Sequence, residues 1–194
     1  MIKHKDIELK ELSEDDLQYL LKWRNSEDVR PYTREFKPLT MENQMKWYKS
    51  LPDSNNIMFG IYHHEKIGKT DIIRSTLIGC CGLTNIDWKN GHTEVSIYIG
   101  AKDWQRKGHA STCLQLLLQY AFNELRLHRV YATIFSYNKK SITLFEKNGF
   151  TFEGDHKDAR FWNGKYYDEK MYSVINNDVY KPKFNKSKPI QTHI

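Results

Sequence analysis

Long apolar runs are missing from this sequence. Nothing in it approaches the ~18 residues that a membrane-crossing helix needs, so no transmembrane anchor is expected. The first residues, "MIKHKDIELKEL", hold no apolar core of the kind a secretory signal requires, which predicts a cytoplasmic protein. Cysteine is scarce as well. The three present, Cys80, Cys81 and Cys113, are an odd number, which argues against a disulfide framework and for reduced thiols. Neighbours on a strand point to opposite faces, so adjacent Cys80 and Cys81 are poorly placed to share a metal, and no metal is expected. Neither a Gly/Ser-rich or Pro-rich linker within residues 1–176 nor an internal repeat is present. One domain over 1–176 is therefore predicted, followed by a basic tail over 177–194. Lys181, Lys183, Lys186 and Lys188 stand in that tail, which reads as flexible.

What remains is a chain of 194 residues, 39% hydrophobic, enough to bury a real core. Its formal net charge of +6 suits an anionic partner, whether nucleic acid, a phosphorylated small molecule or an acidic membrane. No interleaved aromatic and basic surface motif is present, so nucleic acid is not expected, and neither is a membrane partner. The patterning predicts a first strand in "DIELKEL" (6–12), a helix capped by Ser13 and a second capped by Thr40. Strands follow over 56–64, 75–88 and 93–100, the last two joined by the hairpin signal Asn90-Gly91. Helical spacing then runs from Ala110 to Phe122, a strand covers 128–135, and Asn138 caps a helix closed by Gly149. Two final strands flank Asn163-Gly164. An antiparallel front half is thus joined to strand–helix–strand units, a mixed α+β pattern.

One junction asks for an explanation. The stretch "WQRKGHAST" (104–112) links the strand "TEVSIYIG" to the longest helical pattern. A helix N-terminus offers unpaired N–H groups and the positive end of a dipole, and Gly108 lets another molecule's atoms come close. Such a loop is either a solvated basic turn or a cradle for a phosphate-bearing cofactor.

The segment Gln105–Ala110 matches the pattern Q/R-x-x-G-x-G/A. With "SYNKKSITLFEKNGFTFEG" (136–154) and "ARFWNGKYYDEKMYSVI" behind it, the chain closely resembles the GCN5-related N-acetyltransferases over roughly residues 5–176. Within them it looks like the branch of ribosomal-protein, spermidine and amino-sugar N-acetyltransferases. The resemblance implies a central mixed, mostly antiparallel sheet of about six to seven strands flanked by about four helices. It implies acetyl-CoA as donor, its pyrophosphate held at Gln105, Arg106, Lys107, Gly108, His109, Ala110 and Ser111. Its pantetheine arm would meet Asn138 and the backbones of Ile97 and Ile99. Asn138 reads equally as a plain helix cap, and the side chains of Ile97 and Ile99 as core.

The implied reaction is attack of an amine on a thioester, which needs a base, an oxyanion donor and an acid for the thiolate. Glu94 is the candidate base and His92 a weaker one. Relatives carry Tyr in "L-Y-E-K-x-G-F", where this chain has Phe145, so the thiolate acid falls to Ser141, Tyr137 or water. The acceptor region "WRNSEDVRPYTREFKPL" offers Trp23, Arg24, Asn25, Tyr32 and Arg34 for substrate binding. Trp23 reads alternatively as core and the arginines as solvated. The expected acceptor is a small-molecule amine such as an amino sugar or its nucleotide. Alternatives are a protein N-terminus, a polyamine, or a non-catalytic acyl-CoA-binding role, in a monomer or homodimer.

Overall fold

A computed structural model describes residues 2–68, 70–177 and 180–183. Its strands are β1 (Ile2–His4), β2 (Ile7–Glu11), β3 (Ile57–Lys66), β4 (Ile73–Asp87), β5 (His92–Ile99), β6 (Arg129–Phe135), β7 (Thr151–Trp162) and β8 (Lys165–Ile175). The helices are α1 (Leu17–Arg24), α2 (Met41–Ser50), α3 (His109–Gln119) and α4 (Lys139–Lys147). All strands form one sheet in the order β1-β2-β3-β4-β5-β6-β8-β7. Every neighbouring pair is antiparallel except β5–β6. The sheet thus has eight strands, one more than the upper expectation. The extra strand is β1, which folds back on β2 through Lys5 in a left-handed conformation, at φ 54°. That turn carries no Gly or Asn to announce it.

Local chemistry sets the element ends. Thr40 accepts from the Asn43 amide at 3.2 Å, and Asn138 accepts from the Ser141 amide at 3.2 Å, which opens α2 and α4. Ser13 and Asp16 form a reciprocal capping box on the short 3-10 turn before α1. Asn163 and Gly164 both have positive φ, the requirement of a tight hairpin turn between β7 and β8.

The sheet separates two apolar layers, and adjacent cysteines mark the divide. Cys80 packs with Leu12, Leu17, Leu20, Trp23 and Val29 under α1 and α2, while Cys81 belongs to the α3 side with Ile78, Leu83, Cys113 and Leu117. Burial pushes the Cys80 thiol up to about 12 and raises those of Cys81 and Cys113 further, so none is a nucleophile at neutral pH. Cys113–Leu118 are six consecutive buried residues on α3, more than one helix face. Tyr180–Lys183 packs against part of the second face. Tyr180 packs on Phe122, and both its hydroxyl and the Lys183 amide donate to Gln115 Oε1, at 2.6 and 2.9 Å. Tyr180–Lys183 is therefore docked on α3, where a flexible tail was expected. The rest of that expectation, over 184–194, lies outside the described residues. No helix among the described residues is long and apolar enough to cross a membrane.

One feature of the sheet positions the site. β5 and β6 pair only through His92, Glu94 and the residue between them, against Arg129–Tyr131. β6 then follows β8 as far as Phe135, and β5 follows β4 as far as Ile99. The two parallel strands diverge, and α3 starts just beyond the opening.

Candidate active site

The divergence opens a cavity of about 820 Å³, the size of a small-molecule or cofactor site. All six residues from Glu94 to Ile99 line it, because the β6 side of β5 is uncovered. Backbone N–H and C=O groups on that edge have no ladder partner beyond Glu94, so they are available to a bound molecule.

At one end lies the N-terminus of α3. Gly108 caps it at φ 86°, and Arg106 sits at φ 61°. The first helical bond is Thr112 N–H to Gly108 O, at 3.1 Å, so the amides of His109, Ala110 and Ser111 have no intrahelical acceptor. A Cβ built at Gly108 would meet nothing within 4 Å, so the space over the loop is open. Gln105, Arg106, Gly108, His109, Ala110 and Ser111 all line the cavity. Lys107 does not, and its ammonium lies 4.9 Å from the centre of the Trp104 ring. The Gln105 side chain has a structural duty, donating to Ile99 O at 2.9 Å. His109 lies among His63, Trp104 and Lys107, and its Nε2 is buried without a partner among the described residues. Burial above all, then the charges of His63 and Lys107, lowers its pKa against the opposing pull of Asp6. An open glycine turn, free amides and an unsatisfied imidazole fit a pyrophosphate group.

At the other end sits Glu94, 8% exposed. Arg34 Nη2 donates to its Oε1 at 2.9 Å, and Arg34 Nε lies 3.9 Å from Glu169 on β8. Burial alone would lower the Arg34 pKa, but the charge and hydrogen bond of Glu94, with Glu169, raise it above the usual arginine value. His92 stands outside the cavity at the head of β5, 3.4 Å from Asp87. The thiolate candidates also separate. Ser141 and Phe145, one turn apart on α4, both line the cavity, as does Asn138. Asn138 is a true cap, yet capping uses only Oδ1 and leaves its amide N–H groups available. Tyr137 does not line the cavity; its hydroxyl donates to Pro31 O.

The acceptor residues divide in the same way. Tyr32, Arg34 and Arg24 line the cavity, Arg24 in an ion pair with Glu35. Trp23 and Asn25 do not. Trp23 is 9% exposed and lies against Gly100, where any Cβ would enter its ring, so the core reading holds for it. Asn25 exchanges two hydrogen bonds with the Leu39 backbone, at 2.9 and 2.8 Å, and fixes the approach to α2. Sequence reasoning missed Glu35, Lys140 and Glu169. The only signal for Glu169 was its place on a strand running beside Phe135, and that pairing is not legible in one dimension.

A family model described as an acetyltransferase (GNAT) domain matches residues 6–151. Spermidine N(1)-acetyltransferase of Vibrio cholerae is 28% identical over 86% of this chain and 91% of its own length. Acetyltransferase PseH of Campylobacter jejuni is 28% identical over 81% of this chain and 90% of its own. Among solved structures, V. cholerae spermidine N-acetyltransferase in complex with CoA and spermine superposes with a TM-score of 0.78 at 28% identity. The match covers 89% of this chain and 96% of that one.

Proposed function

The chain belongs to the GNAT acetyltransferase family, acyltransferases that use acetyl-CoA, and we propose that it acetylates the primary amine of a small molecule at the Glu94 end of the cavity. The observation that carries this reading is the arrangement of one cavity along one strand. Glu94 lies five residues before Ile99, where β5 ends, a span of about 16 Å of extended backbone, and the α3 cradle lies beyond that end on the same cavity. A phosphate group held at the helix thus leaves the donor's reactive end within reach of the carboxylate.

The donor supplies an activated acetyl thioester. The chain supplies the rest. The amides of His109, Ala110 and Ser111 hold negative phosphate oxygens, and the uncovered edge of β5 aligns the arm and offers N–H groups where negative charge develops. Glu94 takes the proton that the ammonium must lose before nitrogen can attack. Phe145 brings no hydroxyl, so Ser141, one turn back on α4, is the group placed to donate to the departing sulfur. Residues 1–176 act as one catalytic unit in this reading, with Tyr180–Lys183 bracing α3 from behind.

Charge balance supports a monoamine as acceptor. Among the described residues three carboxylates line the cavity, and each is already matched: Asp28 with Lys102, Glu35 with Arg24, Glu94 with Arg34. A polyamine would need several of these carboxylates released from their partners; an amino sugar or similar monoamine needs only one. The V. cholerae relatives favour the polyamine as second reading. A panel of glucosamine, its phosphates and nucleotide, spermidine and an alanine-led peptide, assayed with acetyl-CoA for free thiol and product mass, tests this. Acetylated amino sugar is the expected product. Acetylated spermidine or peptide would replace the proposed acceptor, and binding without turnover on any amine would leave an acyl-CoA-binding protein.

A further inference from the structure

The loop between α1 and α2 ends in an unusual contact. Arg34 lines the cavity and its guanidinium rests on the carboxylate assigned as base, 60 residues away in sequence. The loop is pinned on both sides of it. Pro31 O accepts from Tyr137, and Glu35 pairs with Arg24. The three side chains differ sharply in exposure: Arg34 is 56% exposed, Glu94 10% and Glu169 15%. Glu94 is thus held in the cavity wall and Glu169 is half-buried beside Arg34 outside that lining, while the more exposed cation reaches both. A guanidinium at hydrogen-bond distance from Oε1 stands where a substrate N–H must stand to deliver its proton to the same carboxylate.

We propose that Arg34 is a built-in occupant of the acceptor's ammonium seat, formed by Glu94 and Glu169, and that an amine must displace it to react. The inference rests on Glu94 marking the acceptor end. It makes Arg34 a specificity-determining residue. The seat takes one cation, because one cation already fills it, and only a group that out-competes a tethered guanidinium gains access to the base. Neutral or anionic molecules leave the arginine in place, and the carboxylate stays covered. Acceptor affinity is then reduced by the fraction of time the seat is filled.

The test compares the parent with Arg34→Ala and with Arg34→Gln, which retains a polar side chain. Binding of n-propylammonium to each CoA-saturated protein is followed by amide chemical shifts, and transfer is followed with the amine panel. If the seat is open a tenth of the time or less, removing Arg34 tightens n-propylammonium binding by about 10-fold or more. The gain disappears in Arg34→Ala/Glu94→Gln, and n-propylguanidinium competes with the amine in Arg34→Ala but hardly in the parent. Equal or weaker n-propylammonium binding in both Arg34 variants overturns the proposal. So does a fall in kcat/KM for every acceptor, which would make Arg34 an anchor for an anionic part of the substrate. Tighter binding with no transfer to any amine would keep the seat and refute the transferase reading. Transfer with no gain in binding would do the reverse.

Discussion

Replacing Glu94 by Gln removes a proton acceptor while keeping the size and one hydrogen-bonding oxygen of the side chain. Arg34 can still donate to that oxygen and stays near Glu169. Because Arg34 is more than half exposed, its pair with Glu94 contributes only ~0–1 kcal/mol to stability. For a chain of this size that is at most a few degrees in Tm, about 2–4 °C. Catalysis should respond far more. An alkyl ammonium titrates near 10.4, so at neutral pH only about one molecule in 2,500 is free amine, a deficit of roughly 4.6 kcal/mol. A positioned base relieves part of this, typically ~10²–10⁴-fold. The expected result is a loss of ~10²-fold or more in kcat at pH 7, measured as thiol release at saturating acetyl-CoA. The variant's rate should climb about tenfold per pH unit as free amine accumulates, narrowing the gap to the parent. An amino sugar, whose nitrogen is less basic, would lose less. A variant that keeps parental kcat from about pH 6 to 9 would refute the assignment, and the proton would then have to leave through water.

Other consequences follow from single contacts. Phe145→Tyr places a hydroxyl one turn from Ser141 on α4; since an unperturbed thiol titrates near 8.5, protonating the departing thiolate is worth about 2 kcal/mol at neutral pH, and with departure rate-limiting kcat should rise severalfold. An unchanged kcat would mean that departure is already assisted. Gly100→Ala drives a Cβ into the Trp23 ring, and overpacking of this kind costs ~1–3 kcal/mol, readable as a lower urea midpoint without a change in m. An unaltered midpoint would show that Trp23 moves freely. The His109 pKa is lowered in the fold, so between that value and the unfolded ~6.5 the unfolded chain binds more protons. Its stabilising contribution is therefore complete above about pH 6.5 and is lost as pH falls below it. A bound pyrophosphate favours protonated His109, so CoA should bind more tightly as pH falls from 8 to 6, by a margin that shrinks in His109→Gln. Parallel pH profiles for parent and variant would remove His109 from the cradle.

Much of this architecture is local and could be read in one dimension. Thr40, Asn138 and the Asn163-Gly164 turn act through atoms within three residues, and the opposite faces of Cys80 and Cys81 follow from strand geometry alone. The glycine turn before α3 was legible for the same reason. What escaped depends on long-range pairing or on turns without a signal residue. β1 is too short and its Lys5 turn too unremarkable to announce a strand. Trp23 reads in one dimension either as an acceptor contact or as core, and its packing on Gly100, far away in sequence, is visible only in the fold. Tyr137 was one of the candidate acids, and the bond its hydroxyl donates to the Pro31 carbonyl, over a hundred residues away, could not be read from spacing. Arg34 was singled out as an acceptor residue, but its two carboxylate partners come from β5 and β8, strands that meet the loop only after the chain has folded.

The most direct test of the whole account is an amide-resolved titration of CoA-free protein with acetyl-CoA. The account predicts saturable binding with the largest shifts at His109, Ala110 and Ser111 and along Val95–Ile99, where α3 and the uncovered edge of β5 present free N–H groups. Binding that leaves these amides unperturbed, or no binding at millimolar acetyl-CoA, would contradict it.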